Sequence, residues 1–227
     1  MKFKQYILLV ALTIGFVTIS FSQHGTVPIK NGFGIQGGIT QFDIITDNFD
    51  TESSNGWIGG MSATVDIPHK WYNASYSIQF SENYVRIFGR DFADIPGNKT
   101  IEYKMFTAQI ALLMHVKIIK SFFTIDIGPM LQYNSELELK DENQEDYFIN
   151  NYDNLTAKEI TDISKFNING AIGASAGISH FKIKAQYIYG FTNMLNKLND
   201  ENINVGTNTK KFKGNQSLIA LTLLFTF

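Results

Sequence analysis

Four histidines, His24, His69, His115 and His180, are the most obvious chemical groups in this sequence. They are far apart, and three of them fall in a lead-in or in turns. A metal centre needs several ligands converging on one point, and nothing in this spacing supplies that. Cysteine is absent, which removes disulfides, thiolate ligands and thiol nucleophiles. Ser179 and His180 are the one nearby Ser–His pair. Adjacent residues of a strand point to opposite faces, so they do not form a nucleophile–base relay. Gly170, Gly173 and Gly177 lack both the spacing and the following helix of a dinucleotide fingerprint. No catalytic residue, cofactor or metal is therefore expected, and the protein is read as a non-enzyme.

The remaining charges sit in a regular context. Asp66, His115, Asp126 and Lys184 each stand on the polar face of a segment whose apolar residues recur at every second position. That alternation is the mark of a β-strand with one apolar face. The four are expected to meet inside a barrel as a structural polar network. An eight-stranded barrel is just wide enough for side chains to fill it, and opposite charges inside would pair because an unpaired buried charge is costly.

The elements that would position them are strands. The chain ends on Gln216 to Phe227, where Ile219, Leu221, Leu223, Phe225 and Phe227 share one face. As a free edge such a strand would invite aggregation; in a transmembrane barrel it is the closing strand. Seven earlier segments alternate likewise: 31–42, 56–67, 72–80, 101–117, 122–139, 165–179 and 181–191. The cleanest is the third, where Tyr72, Ala74, Tyr76, Ile78 and Phe80 alternate with Asn73, Ser75, Ser77 and Gln79. Connections between the eight alternate long and short. The expected fold is all-β: an eight-stranded antiparallel up-and-down transmembrane β-barrel over residues 31–227. Short turns would lie on the periplasmic side and long loops outside. Trp57 and Tyr133 fall at the outer membrane boundary, and Trp71, Phe225 and Phe227 at the periplasmic one, as girdle aromatics. Pro129 cannot donate to a ladder, so a bulge or break is expected at Gly128-Pro129.

Composition agrees. The chain has 227 residues, with 14% aromatic and 18% charged. Lys2 and Lys4, the apolar run Tyr6 to Val17, and Ser20-Phe21-Ser22 read as a signal peptide over 1–22. Residues 23–30 then form a periplasmic lead-in. Removing 1–22 takes away two lysines and no acids, so the mature chain is acidic. Nothing points to nucleic acid as a partner. The segment Lys140 to Ser164 holds seven acids and reads as a solvated external loop, with Thr156-Ala157-Lys158-Glu159 as a capping box for a short helix.

Four stretches resemble the PorT-like outer-membrane β-barrel family of Gram-negative bacteria: Phe33 to Gly38, Ile110 to Leu113, Gly128-Pro129, and Tyr187 to Asn193. The sequence departs from that pattern at Gln36, where a basic residue is common, and at Ala111, often proline. The resemblance implies the barrel fold and, for some members, a link to a protein secretion system. It carries no catalytic residues. The expected role is a non-enzymatic structural, adhesion or assembly-partner function through the external loops. The expected partners are outer-membrane lipid, the barrel-assembly machinery during biogenesis, and a protein at the external loops. The competing readings are a secretion-system accessory and a soluble exported barrel binding a small apolar ligand. The soluble barrel would need its apolar stripe inward.

Overall fold

A computed structural model describes residues 30–66, 70–93, 97–178, 180–201, 203–206 and 210–227. Residues 1–29, which hold the expected signal peptide, most of the expected lead-in and His24, lie outside these, as do His69 and Ser179. Eight long strands form the wall: β1 (Lys30–Thr46), β2 (Thr51–Asp66), β3 (Tyr72–Arg90), β4 (Lys99–Ile119), β5 (Phe123–Asn134), β6 (Phe166–Gly177), β7 (Phe181–Gly190) and β8 (Gly214–Thr226). Each pairs antiparallel with its neighbour in sequence, and β8 pairs with β1 from Gly34–Thr226 to Thr46–Gly214. The sheet therefore closes on itself and leaves no free edge, the condition for strands in hydrocarbon.

Alternation decides which side is which. Tyr76 is 45% exposed, Leu112 57% and Leu221 48%, all on the outer surface, while Ser75, Ser77 and Gln79 are buried inside. The outer wall is thus apolar and the lumen polar at this level. This removes the soluble ligand-binding reading. Aromatic residues rim the apolar band at both levels. Trp71, Phe225 and Phe227 are exposed at the end with the short turns, and Phe227 stacks on Phe33 with ring centroids 6.4 Å apart. Trp57 and Tyr133 are exposed at the other level, where Tyr133 meets Phe166 edge-on at 5.0 Å.

Three expectations need correction. The first two connections at the far end are not long loops. β1 and β2 run on to a short turn near Phe49, and β3 and β4 continue to Arg90 and Lys99. The cause is a reversal of polarity. Beyond Asn83 the inward residues become apolar (Val85, Ile87, Ile101, Tyr103, Met105), while Glu82, Arg86, Glu102 and Lys104 turn outward. The hairpins leave the apolar band but remain strands, with their grease now inside.

Strand β5 stops at Asn134, short of the expected Leu139. Leu139 and Glu138 instead pair back onto Tyr103 and Lys104 of β4. At Gly128-Pro129 the β4–β5 ladder is interrupted between Ala111–Met130 and Met114–Ile127 with no change of register, so the chain breaks its pairing there without a bulge. β5 keeps its pairing with β6 through Pro129–Gly170.

The acidic segment after β5 is not simply a solvated loop. Leu137, Ile149, Tyr152, Leu155, Ala157, Ile160 and Ile163 are buried in one cluster with Ile87, Ile101, Tyr103 and Met105 of the hairpins. The acids occupy its outer surface. Phe148 and Ile149 pair with Arg90 and Gly89 of β3. A 3-10 helix, Ala157–Ile160, begins at Thr156, whose backbone N–H and hydroxyl donate to Glu159 Oε2 at 2.8 and 2.7 Å. The segment between β7 and β8 adds Met194, Leu195, Leu198 and Phe212 to the same core. The result is a folded cap over one mouth of the barrel.

Candidate functional site

Beneath the cap, two polar layers fill the lumen. The upper one is built of amides. Gln109 Nε2 donates to Gln79 Oε1 at 2.8 Å, Asn169 Nδ2 to Gln132 Oε1 at 2.6 Å, and Gln216 Nε2 to the same oxygen at 3.0 Å. Thr40 Oγ1 donates to Asn83 Oδ1 at 3.0 Å, and Thr107 Oγ1 to Asn134 Oδ1 at 3.2 Å. These bonds tie β1 to β3, β3 to β4, β4 to β5, β5 to β6 and β5 to β8 across the interior. Inward Ala111, Leu113, Met130, Ala171, Ile188 and Ala220 lie next along the strands and carry no polar side-chain atoms apart from the thioether.

The lower layer holds the charges. Asp126 is fully buried. Its Oδ1 accepts from His115 Nδ1 at 2.7 Å and from Thr124 Oγ1 at 2.7 Å, and its Oδ2 accepts from the Ser175 hydroxyl. His115 Nε2 lies 2.7 Å from Ser75 Oγ. With Nδ1–H donating to Asp126, Nε2 of a neutral imidazole accepts from the Ser75 hydroxyl. Lys184 is 2% exposed and stands in register between Ser175 and Thr222, within the field of Asp126. Of the four residues expected to meet here, the structure brings together His115, Asp126 and Lys184. Asp66 stands opposite Asn73 in the β2–β3 register, and its side chain lies outside the described residues. Ser75 was not singled out in the sequence, since it is one of several inward serines on β3. The register gives the only signal: its neighbour Asn73 pairs with His115, which places Ser75 one diagonal step away.

Ser75, His115 and Asp126 have the connectivity of a hydrolytic triad. Catalysis also needs room for an acyl group and donors aimed at its oxyanion. The cavity bounded by Ser75, His115, Thr124, Ser175 and Lys184 is about 20 Å³, room for about one water molecule. Ser75 is itself buried. The relay is closed to substrate and serves as a cross-link between β3, β4, β5 and β6. An activated-phosphonate serine probe is expected to leave Ser75 unlabelled in the intact barrel, read by mass spectrometry. Stoichiometric labelling that is lost in Ser75→Ala would show an accessible, activated hydroxyl instead.

No protein-family model matches the chain, and no curated protein sequence does. Solved structures match it by shape. Neisserial surface protein A covers 86% of this chain, with 97% of its own length, at a TM-score of 0.50 and 11% identity. The fold is that of an outer-membrane β-barrel. Ail, the attachment invasion locus protein of Yersinia pestis, solved with the heparin analogue sucrose octasulfate, covers 87% with 99% of its own length at a TM-score of 0.46 and 10% identity. OprG from Pseudomonas aeruginosa covers 88% with 98% of its own length at 0.45 and 11%. In this outer-membrane barrel the short turns face the periplasm and the cap faces outward, so the charged layer lies in the periplasmic half of the wall.

The cap carries its own electrostatic ties. Lys104 meets Glu138 at 2.9 Å, Lys140 meets Glu102 at 2.7 Å, Lys158 meets Asp146 at 2.9 Å and Lys165 meets Glu136 at 3.1 Å. These are exposed pairs of small individual worth. Lys197 pairs with Asp162 and links the two long segments of the cap. Burial works to raise the Asp162 pKa, but hydrogen bonds from Lys197 and Glu201 and the Lys197 charge outweigh it and hold the carboxyl below its usual range. Glu201 is pushed up, first by burial and then by the Asp162 carboxylate beside it.

Proposed function

We propose that this protein is a non-enzymatic outer-membrane barrel that holds a rigid external cap for recognition by a protein partner, in a structural, adhesion or assembly role. One observation supports this most: the cap and the upper hairpins share a single apolar core. Loops held that way are ordered before a partner arrives, so less entropy is lost on binding. The lumen supports the same reading, because among the described residues two layers of buried, hydrogen-bonded side chains cross it beneath the cap.

The PorT-like resemblance belongs to this proposal. Its four stretches fall on β1, β4, β5 and the end of β7, the last running on past Gly190 towards the cap. On that reading the partner is a component of a secretion system, reached through the cap. Residues 1–22 would direct export and be removed, and the barrel-assembly machinery would insert the rest.

The experiment uses the full barrel and Ile160→Asp, which places an unpaired carboxylate in the cap core and loosens the cap. Both are immobilised in detergent and exposed to membrane extract from the source cells, and both are run in planar bilayers. The expected result is a partner retained by the intact barrel and lost from the variant, with no steady conductance from the intact barrel. A large, steady conductance from the intact barrel, or equal retention by the variant, would overturn the proposal.

A further inference from the structure

The outer rim of the barrel holds a basic cleft in which two lysines, Lys211 and Lys213, stand apart from the ion pairs of the cap. It lies at the β1–β8 seam and measures about 580 Å³, between Thr46, Asp47 and Asn48 on one side and Lys210, Lys211 and Lys213 on the other. The backbone carrying the lysines is clamped from the β1 side. Thr46 Oγ1 donates to Lys213 O at 2.6 Å, Asn48 Nδ2 donates to Lys211 O at 3.2 Å, and Lys213 N–H donates to Asn48 Oδ1 at 2.8 Å. The Lys211 and Lys213 side chains are exposed. Elsewhere on the external surface Lys99, Lys104, Lys140, Lys158, Lys165 and Lys197 each meet a carboxylate. Among the described residues no ion pair engages Lys211 or Lys213. Among the described residues lining the cleft Asp47 is the one carboxylate, against the two cations Lys211 and Lys213, so the balance is positive.

Its height above the membrane identifies the anion. Asn215, at the base, pairs with Ile45, and four residues further down β8 the exposed Ile219 pairs with Gln41. Four residues of a tilted strand span about 10 Å. The cleft therefore opens just above the apolar band, at the depth of lipid headgroups. Below the cleft the outward pair Asp43 and Ser217 intervenes, and the apolar wall begins at Ile219 and continues through Leu221 and its partner Ile39. Apolar wall below and unneutralised cations above match an amphiphile with an anionic head.

We propose that this cleft binds the phosphorylated headgroup of an outer-leaflet lipid, with Lys211 and Lys213 as the phosphate contacts and the acyl chains lying along Ile219, Ile39 and Leu221. The lipid would fix the seam and cap relative to the bilayer surface.

The test is native mass spectrometry of the full barrel in detergent with a bis-phosphorylated glucosamine-disaccharide lipid as probe. The arms are the same lipid without phosphates, and inorganic phosphate as competitor. The variants are the double change Lys211→Gln with Lys213→Gln, and a control double change Lys158→Gln with Lys165→Gln that removes the same charge elsewhere. Folding of each is checked by gel mobility before heating. The expected result is loss of about thirtyfold in affinity for the cleft variant, the size set by two surface cation contacts. The control should bind as wild type, the dephosphorylated lipid should bind as weakly as the cleft variant does, and millimolar phosphate should fail to displace the lipid. Equal binding by the two double variants, or by the dephosphorylated lipid, would overturn the proposal. Displacement by inorganic phosphate would also overturn it, by assigning the cleft to soluble anions.

Discussion

Gly38→Val is expected to abolish the folded barrel, while Gly37→Val, one residue away, leaves it intact. Gly38 lies on the inner side of β1 at the closing seam, opposite Thr222 of β8. A Cβ there would stand 2.0 Å from the Leu221 carbonyl oxygen and 2.7 Å from the Thr222 Cα. Both are backbone atoms and neither can swing aside, so the two strands would have to separate. Separation leaves N–H and C=O groups of the seam without partners at membrane depth, at several kcal/mol each. At Gly37 the nearest atom is 3.8 Å away, and the position faces lipid. Mobility on unheated detergent gels reads the outcome. Wild type and Gly37→Val should run as compact species, and Gly38→Val as unfolded chain. Compact migration of both variants would mean that β1 and β8 do not approach as described.

Asp126→Leu is the second large effect. One carboxylate serves three donors, His115 Nδ1–H and the hydroxyls of Thr124 and Ser175, and it lies in the same buried layer as Lys184. Leucine removes the acceptor and leaves those groups dry and unpaired. Breaking a buried pair from one side costs about 3–5 kcal/mol, a shift of roughly 1–2 M in a urea midpoint measured in liposomes. Lys184→Met in the Asp126→Leu background should recover part of the loss, because no uncompensated charge then remains inside. A midpoint within about 0.3 M of wild type for Asp126→Leu would show that this layer is hydrated and does not hold the wall together.

The wall was legible in the sequence because the bilayer imposes a simple pattern on it. Tyr76, Ile78 and Phe80 against Ser75, Ser77 and Gln79 require no tertiary knowledge to read. The meeting of His115 with Asp126 was legible for the same reason, since both stand on the polar face of neighbouring strands. Above the membrane the same alternation changes meaning. Val85 and Ile87 continue the phase of Ser81 and Asn83, but their environment is a protein core and Arg86 now faces water. A search for outward apolar residues stops at Phe80, although the strand runs to Arg90. The cap was hidden more deeply. Leu137, Ile149, Tyr152, Leu155, Ile160 and Ile163 follow neither period two nor period 3.6, and seven acids between them make the stretch read as solvated. Their burial depends on a surface that only the closed barrel and its hairpins create.

The outward-facing apolar wall is tested most directly by a residue-by-residue accessibility scan along β3 in liposomes. The chain contains no cysteine, so single cysteines at 75 through 80, and at 82 and 86, can each carry a nitroxide without further changes. Labels at 76, 78 and 80 should collide with oxygen dissolved in lipid and not with a water-soluble nickel chelate, while labels at 75, 77 and 79 are shielded from both. At 82 and 86 the chelate should dominate. Oxygen contact at 75, 77 and 79 with shielding at 76, 78 and 80, or chelate contact along the whole stretch, would contradict a barrel that meets the bilayer through its apolar face.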